Sequence, residues 1–409
     1  MSEARLVERV ARESYGRLLA LLAARTRDVA AAEDALADAF AAALTAWPRC
    51  GAPDNAEAWL FAAAKRKLID AARRAKTAAQ GQAQIERGIA DLESSLAPQA
   101  PDRRLELLFA CAHPAIEPSA RTPLMLQTVL GLSAERIAAA FMVAPAAMSQ
   151  RLVRAKARIA ERRVPFETPA PSQWAARLED VLQAIYAAYA DGWADAAGAD
   201  PDRVTLAEEA IWLAGVLATQ VPEEPEALGL LALLLHLEAR RPARYAEGRF
   251  VPLEMQDVAL WRAGTQGEAE LILKRAAAAD RIGRFQLEAA IQSAHAARRT
   301  RGGVDWDAII LLYEALSRVA PSPVVRLNGV AALAQRDGAE AGLAALDALD
   351  APALRSYQPY WALRADLLAR RGCVDEARAA YNEAIARARD PAVIRFLRAR
   401  RDAAGAQRG

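Results

Sequence analysis

Apolar residues along this chain recur at three- and four-residue intervals from one end to the other, while period-two alternation and Val-Ile-Thr clusters are scarce, so the pattern predicts helix almost throughout. In the N-terminal part the spacing predicts helices over residues 6–25, 29–47 and 56–75, the last two joined by the Pro- and Asn-bearing loop PRCGAPDN. Residues 77–102 have weak periodicity and carry Gly81, Gly88, Pro98 and Pro101, which reads as a linker with room for one helical segment. Helices resume at Arg103 and run to Arg163, where VPFETPAPS breaks the pattern. From Trp174 onward, more than half of the chain, the pattern is helical again. The expected fold is all-α: two small helical domains at 1–76 and 103–163, separated by the linker 77–102, followed by a larger helical domain at 174–402.

Residues 132–159, LSAERIAAAFMVAPAAMSQRLVRAKARI, read as two short helices joined by a tight turn. Ile137, Ala140 and Phe141 would give the first helix a buried face, and Ser133 is placed to cap it through its hydroxyl. Pro145 suits the first position of the second helix, where its missing N–H would have been unpaired anyway, and Met148, Leu152, Ala155 and Ile159 follow as the inward stripe. The other face is left to Ser149, Gln150, Arg151, Arg154, Lys156 and Arg158, groups of the kinds that contact base edges and phosphates when a helix lies in a major groove. That is the pattern of a helix-turn-helix DNA reader, although an ordinary hairpin with a solvated basic face has the same signature.

Charge distinguishes the other N-terminal helices. In the second, Glu33, Asp34 and Asp38 flank Leu36 and Phe40, an acidic surface around an apolar stripe that suits a basic helical partner. In the third, Lys65, Arg66, Lys67, Arg73, Arg74 and Lys76 crowd the C-terminal half against Asp70, a density that favours phosphate contact. Selectivity would then fall to Asp54 and Asn55 in the preceding loop and to Trp59, which can shape a base pocket. Near the C-terminus, Leu327, Ala331, Ala334 and Gly338 reappear 34 residues later as Trp361, Ala365, Leu368 and Gly372, the tetratricopeptide period. Ala365, Ala377 and Ala384 would let two antiparallel helices approach, with Tyr381 as a bulky wedge, and residues 285–319 form a less regular unit at about the same spacing. Stacked hairpins of this kind usually present a surface to a protein ligand.

Composition narrows the function. A 409-residue chain with 54% hydrophobic and 25% charged residues folds into a substantial core. A net charge of +2 gives no global pull toward polyanions, so nucleic-acid affinity must come from local patches. Cys50, Cys111 and Cys373 are far apart and include no C-x-x-C pair, which argues against disulfides and structural zinc and for a reducing cytoplasm. Cys111 and His113 sit together in FACAHP, but the other histidines, His236 and His295, are remote, so a buried structural role is expected and no metal or cofactor. The longest apolar run, 228–235, is too short for a bilayer, and no signal peptide is expected. There is no Walker or dinucleotide loop, no H-E-x-x-H and no persuasive nucleophile–base pair, so no enzymatic activity is expected.

Taken in order, AEDALADAF (32–40), DNAEAWLFAAAKRKLID (54–70) and the helix-turn-helix resemble the two domains of a bacterial extracytoplasmic-function sigma factor of the sigma-70 family. FACAHPAIEPSART (109–122), FQLEAAIQSAH (285–295) and PSPVVRLNGVA (321–331) are similar to the subgroup with a long C-terminal TPR-like helical extension. The resemblance implies an RNA polymerase sigma subunit that directs promoter recognition and transcription initiation. Glu33, Asp34, Leu36, Asp38 and Phe40 would bind the β′ coiled coil of core RNA polymerase. Asp54, Asn55, Trp59, Lys65, Arg66, Arg73 and Arg74 would meet the −10 element of promoter DNA. The helix-turn-helix, through Ser149, Gln150, Arg151, Arg154, Lys156 and Arg158, would read the −35 element and touch the β flap. The C-terminal array would be a fused regulatory domain. The chain departs from the family pattern in having Ala37 for the usual Gln, Lys65-Arg66 for the common Arg-Asn pair, and Ala144 for the Ser or Thr that often caps the recognition helix, which costs about 1 kcal/mol. Readings of a different class are a TPR-type adaptor, or a helix-turn-helix regulator acting without polymerase.

Overall fold

The computed structural model describes residues 3–78, 102–141, 143–174, 177–194, 201–349 and 351–406, so most of the expected linker lies outside them. Among the described residues the chain is all-α apart from one small antiparallel hairpin, β1 (Tyr245–Ala246) and β2 (Arg249–Phe250). It divides into two compact units between Ala188 and Tyr189.

The first unit begins with three helices, α1 (Glu3–Thr26), α2 (Val29–Cys50) and α3 (Ala56–Ala78), each packed on the other two. Their starts are chemically marked. Asp28 accepts from the Ala31 N–H at 3.0 Å to cap α2, and the Asn55 side chain accepts from the Ala58 N–H at 2.9 Å at the start of α3. Val29, Ala32, Leu36, Ala39, Ala43 and Trp47 form the buried stripe of α2 at helical spacing. Glu57 on α3 ties back to α1, taking the Ser14 hydroxyl and, at 2.9 Å, the Arg17 guanidinium.

Next come α4 (Arg104–Cys111), α5 (Pro118–Thr128), α6 (Ala134–Ala140) and α7 (Pro145–Glu161). Every α4 residue except Glu106 is buried, because α1 covers one side and α5 another. Gly16 is what lets α1 come this close: a Cβ there would meet the Val129 carbonyl oxygen at 1.9 Å. Cys111 is enclosed, its sulfur 3.5 Å from the Thr128 hydroxyl, and burial pushes its thiol up to about 12, which makes it inert. His113 Nδ1 accepts the Ala115 N–H at 3.1 Å, so this imidazole closes a turn.

The compact unit of residues 1–188 holds the segments 1–76 and 103–163 and runs past the proline-broken stretch into α8 (Leu178–Trp193). The continuation has a polar cause: Arg103 donates to the Phe166 carbonyl at 3.2 Å, and Arg121 pairs with Asp180 at 2.9 Å. In α6, Ile137 is buried, but Ala140 and Phe141 are exposed; Ala138 supplies the second inward contact.

The second unit contains α9 (Pro201–Gln220), α10 (Pro225–Ala239), α11 (Ala263–Ala277), α12 (Arg284–Ala296), the short α13 (Arg298–Arg301) and α14 (Trp306–Val319). The apolar run seen in the sequence lies in α10, buried nearly all round because α9, α11 and α12 surround it. Gly229 is required at the α10–α12 crossing, where a Cβ would stand 2.6 Å from the Gln286 nitrogen. Glu226 on α10 caps α12 from outside, accepting the Phe285 and Gln286 N–H groups at 3.0 and 3.1 Å.

Five helices complete the chain: α15 (Pro323–Asp337), α16 (Ala339–Asp347), α17 (Gln358–Arg370), α18 (Val374–Arg387) and α19 (Pro391–Ala406), each packed on the next. The 34-residue period is visible in the backbone, since Gly338 (φ 94°) and Gly372 (φ 83°) both take the left-handed turn between paired helices that glycine adopts without strain. Ala365, Ala377, Ala384 and Tyr381 occupy the shared core, as their spacing predicts.

Two histidines of this unit, His236 and His295, are buried. His295 is stacked edge-on against Trp306 at 5.6 Å, and burial, reinforced by Arg240 and Arg298, holds its imidazole down to about 4. Burial likewise holds His236 well below its ordinary value, against the pull of Glu270. In both cases the folded chain binds the proton less readily than the unfolded one, so the contribution is full above the unfolded value of about 6.5 and is lost as pH falls toward the folded value. Chemical denaturation of the full chain followed between about pH 7 and about pH 4.5 should show a falling midpoint, and His295→Asn should flatten that fall. A pH-independent midpoint would show that neither ring is kept neutral by the fold.

Candidate nucleic-acid interface

The second helix of the helix-turn-helix, α7, forms as its sequence requires. Ser133 accepts from the Arg136 N–H at 3.3 Å to start α6, and Pro145 stands in the first turn of α7, after Ala144, which supplies no side-chain cap. Met148, Leu152, Ala155 and Ile159 are buried in one stripe against α5 and α6. That packing turns Ser149, Gln150, Arg154 and Arg158 outward, all exposed. Ser149 donates its hydroxyl to the Pro145 carbonyl at 3.0 Å, and Arg158 pairs with Glu161 at 3.3 Å, both contacts that an exposed partner can displace at little cost. Arg151 is half-buried and reaches the Ser119 carbonyl at 3.3 Å. Arg151, Arg154 and Arg158 line a half-open groove of about 520 Å³, together with Pro114, Glu117 and Pro118. Arg162 and Arg163, not singled out in the sequence, are exposed just beyond the helix and extend the same basic face.

Lys156 does not share that face. It is 8% exposed and forms an ion pair with Glu33 of α2, across the contact between α2 and α7. The signal was in the spacing: 148, 152 and 156 are four residues apart, so Lys156 continues the buried row. Glu33 is correspondingly withdrawn, with one carboxylate oxygen buried and unpartnered; burial raises its carboxyl above the ordinary range, against the opposing pull of Lys156. Leu36 is fully buried and Phe40 half-buried, while Asp34 and Asp38 are exposed. Asp38 meets Lys67 of α3 at 3.2 Å, a largely exposed pair of little energetic weight. Of the acidic surface expected on α2, the open part is therefore Asp34, Asp38 and the accessible edge of Phe40.

Just before α3, Asp54 and Asn55 are exposed, but the Asn55 side chain is already committed to the helix start. Trp59 is half-buried, packed edge-on against Trp47 at 5.6 Å, which fixes its ring beside the loop. Arg66, Arg73 and Arg74 are exposed, Arg74 curling back to the Asp70 carbonyl at 3.2 Å. Lys65, expected among them, is 7% exposed and thus turned into the bundle. The exposed arginines of α3 and those of α7 are two cationic surfaces in one unit, and no group of His, Cys, Asp or Glu able to hold a metal ion exists among the described residues.

Comparison with known proteins adds identity to this geometry. Residues 10–77, the α1–α3 bundle, match sigma-70 region 2, and residues 177–277 match a family of unknown function, DUF6596. An uncharacterized protein of Rhizobium meliloti (strain 1021) is 39% identical over 383 residues, which is 92% of this chain and 90% of that protein. No solved structure matches the chain.

The Glu33–Lys156 pair can be weighed directly. Lys156→Ala leaves a buried carboxylate without its counter-ion and should cost about 3–5 kcal/mol in urea denaturation of the first unit's transition. Replacing both partners, Glu33→Gln with Lys156→Met, should return most of that loss. Equal midpoints for wild type and Lys156→Ala would mean that the pair is solvated and holds nothing together.

Proposed function

We propose, on the premise that this chain belongs to the sigma-70 family, that it is a promoter-specificity subunit of the extracytoplasmic-function type, working in the cytoplasm with core RNA polymerase and promoter DNA. The observation that carries the reading is the pairing, within one chain, of a region 2 bundle with a separate helix-turn-helix whose exposed face is basic. In this reading Asp34, Asp38 and Phe40 on α2 dock the β′ coiled coil, with Glu33 joining them when α7 moves away. Arg66, Arg73 and Arg74 hold the phosphates of the −10 region, and Trp59 stacks beside an opened base. Gln150 and Arg154 read −35 base edges, while Arg151 and Arg158 hold the flanking phosphates and the helix-turn-helix rests on the β flap. The protein acts by binding; the chemistry belongs to the polymerase. Among the described residues no helix is long and apolar enough to cross a membrane.

The two promoter elements impose a distance. Centres 25 base pairs apart lie about 85 Å apart along B-form DNA, at 3.4 Å per step. Helices in side-chain contact cannot span that, so the α2–α7 packing is the resting form and must open on a promoter. The C-terminal helices are read as a fused regulatory domain: paired helices turning at Gly338 and Gly372 support a tetratricopeptide-like surface for a protein ligand.

Run-off transcription with purified core polymerase and the DNA upstream of the protein's own gene tests the reading. Transcripts should depend on the protein, and Arg154→Ala should weaken them by about 1–3 kcal/mol, roughly 5- to 150-fold, as expected for loss of a base contact. Absence of any protein-dependent transcript together with no core binding in a pull-down would instead favour a helical adaptor, and specific duplex binding without polymerase would favour a conventional regulator.

A further inference from the structure

The end of α10 carries an unusual run, Arg240-Arg241-Pro242-Ala243-Arg244, and the structure wraps it around a single indole. The guanidinium carbons of Arg240, Arg241 and Arg244 lie 5.0, 5.0 and 3.8 Å from the centre of the Trp193 ring, so no two of them are more than 10 Å apart. Three like charges held this close must be compensated, and the protein supplies little. Arg244 is 7% exposed, and the hydrogen bond its side chain makes is to the Trp193 carbonyl at 2.7 Å. Arg241 pairs with Glu238 at 2.7 Å, but that carboxylate is shared with Arg262 at 3.0 Å and with the Tyr189 hydroxyl at 3.5 Å. Among the described residues, neither Arg240 nor Arg244 forms an ion pair with a carboxylate; Glu254 acts on Arg240 and Asp390 on Arg244 only from a distance.

The unpaired groups are specific. Arg240 Nε and both terminal nitrogens of Arg241 are shut off from water with no acceptor. Attraction between a cation and the indole face offsets part of the charge, but it gives no acceptor to N–H groups that lie in the guanidinium plane. Buried donors without partners are uncommon in folded proteins, and an acceptor supplied from outside the chain is one explanation for them. Burial accordingly lowers Arg240 to about 10 and Arg244 to about 9, the direction expected for cations short of counter-charge. Setting Glu238 against Arg241, the cluster lacks about two negative charges, which a phosphoryl dianion carries and a single carboxylate does not. The forked donors of arginine also match phosphoryl oxygens two at a time.

We propose that Arg240, Arg241 and Arg244, gathered around Trp193, form a binding site for a phosphoryl group, either free phosphate or the phosphate of a small monoester. The site lies in the second unit and uses no residue of the polymerase- or DNA-facing surfaces, so it stands whether or not the promoter reading holds. It gives the C-terminal half of the chain a small-molecule input.

The test is thermal denaturation of the full chain titrated with inorganic phosphate, with glycerol 3-phosphate, and with sodium chloride at matched ionic strength. The midpoint should rise saturably with one or both phosphates and not with chloride; saturation at lower concentration with the monoester would identify a metabolite, and equal saturation the free ion. Arg240→Met should abolish the phosphate-dependent rise while keeping or raising the midpoint without phosphate, because it removes an uncompensated charge. Arg241→Lys, which keeps the charge and loses the fork, should weaken the response about tenfold. A rise with chloride equal to that with phosphate, or no saturable rise with either phosphate, would overturn the proposal. So would an Arg240→Met protein that melts lower and responds like wild type, since the arginines would then be serving the fold alone.

Discussion

Lys156 can leave water only because Glu33 comes to meet it. An unpaired ammonium inside a protein costs several kcal/mol, so once α7 presents Lys156 on its buried row, α2 must deliver a carboxylate at the same height or the helices cannot close. The register of α7 on α2 follows from this, and with it the outward direction of Ser149, Gln150, Arg154 and Arg158. Close packing elsewhere serves the same contact. Gly16 lets α1 reach the Val129 backbone, and the enclosed α4 fills the space between the three-helix bundle and the helix-turn-helix. The same packing buries Leu36 completely and withdraws Glu33 from most of the surface.

The second unit handles buried polarity in two contrasting ways. At the α10–α12 crossing, Glu226 is spent on two backbone N–H groups, and Gln286 donates to the Arg281 carbonyl at 2.6 Å. Arg298 donates to the Leu253 and Gln256 carbonyls, at 2.8 and 3.1 Å, while its Nε is buried without an acceptor. Arg240 and Arg244 also lack a carboxylate partner, and what sets them apart is that they share one indole ring, Trp193, with Arg241.

Much of the fold was legible in one dimension. The α2 stripe, the α7 stripe, the Ser133 cap and the Pro145 start all follow from helical periodicity and from the unpaired N–H groups of a helix start, which are local properties. Gly338 and Gly372, 34 residues apart in the sequence, both take positive φ between consecutive helices, a local demand that glycine meets. Candidate site residues fared differently. Arg66, Arg73, Arg74, Gln150 and Arg154 are on the surface, whereas Lys65 and Lys156 are inside, although all are cationic or polar positions on basic helices.

The amino-acid sequence by itself determined the helices, their caps, their apolar faces and the two basic segments, because each depends on residues within a turn or two of one another. Only the tertiary structure decided which of those basic residues meet solvent, that the first two helical segments form one body, and that three arginines converge on Trp193. Those outcomes depend on what lies across a helix–helix contact, and the partner there comes from 123 residues away for Lys156 and from about 50 for the arginines. No local period encodes such a partner; close packing and the need to pair a buried charge select it.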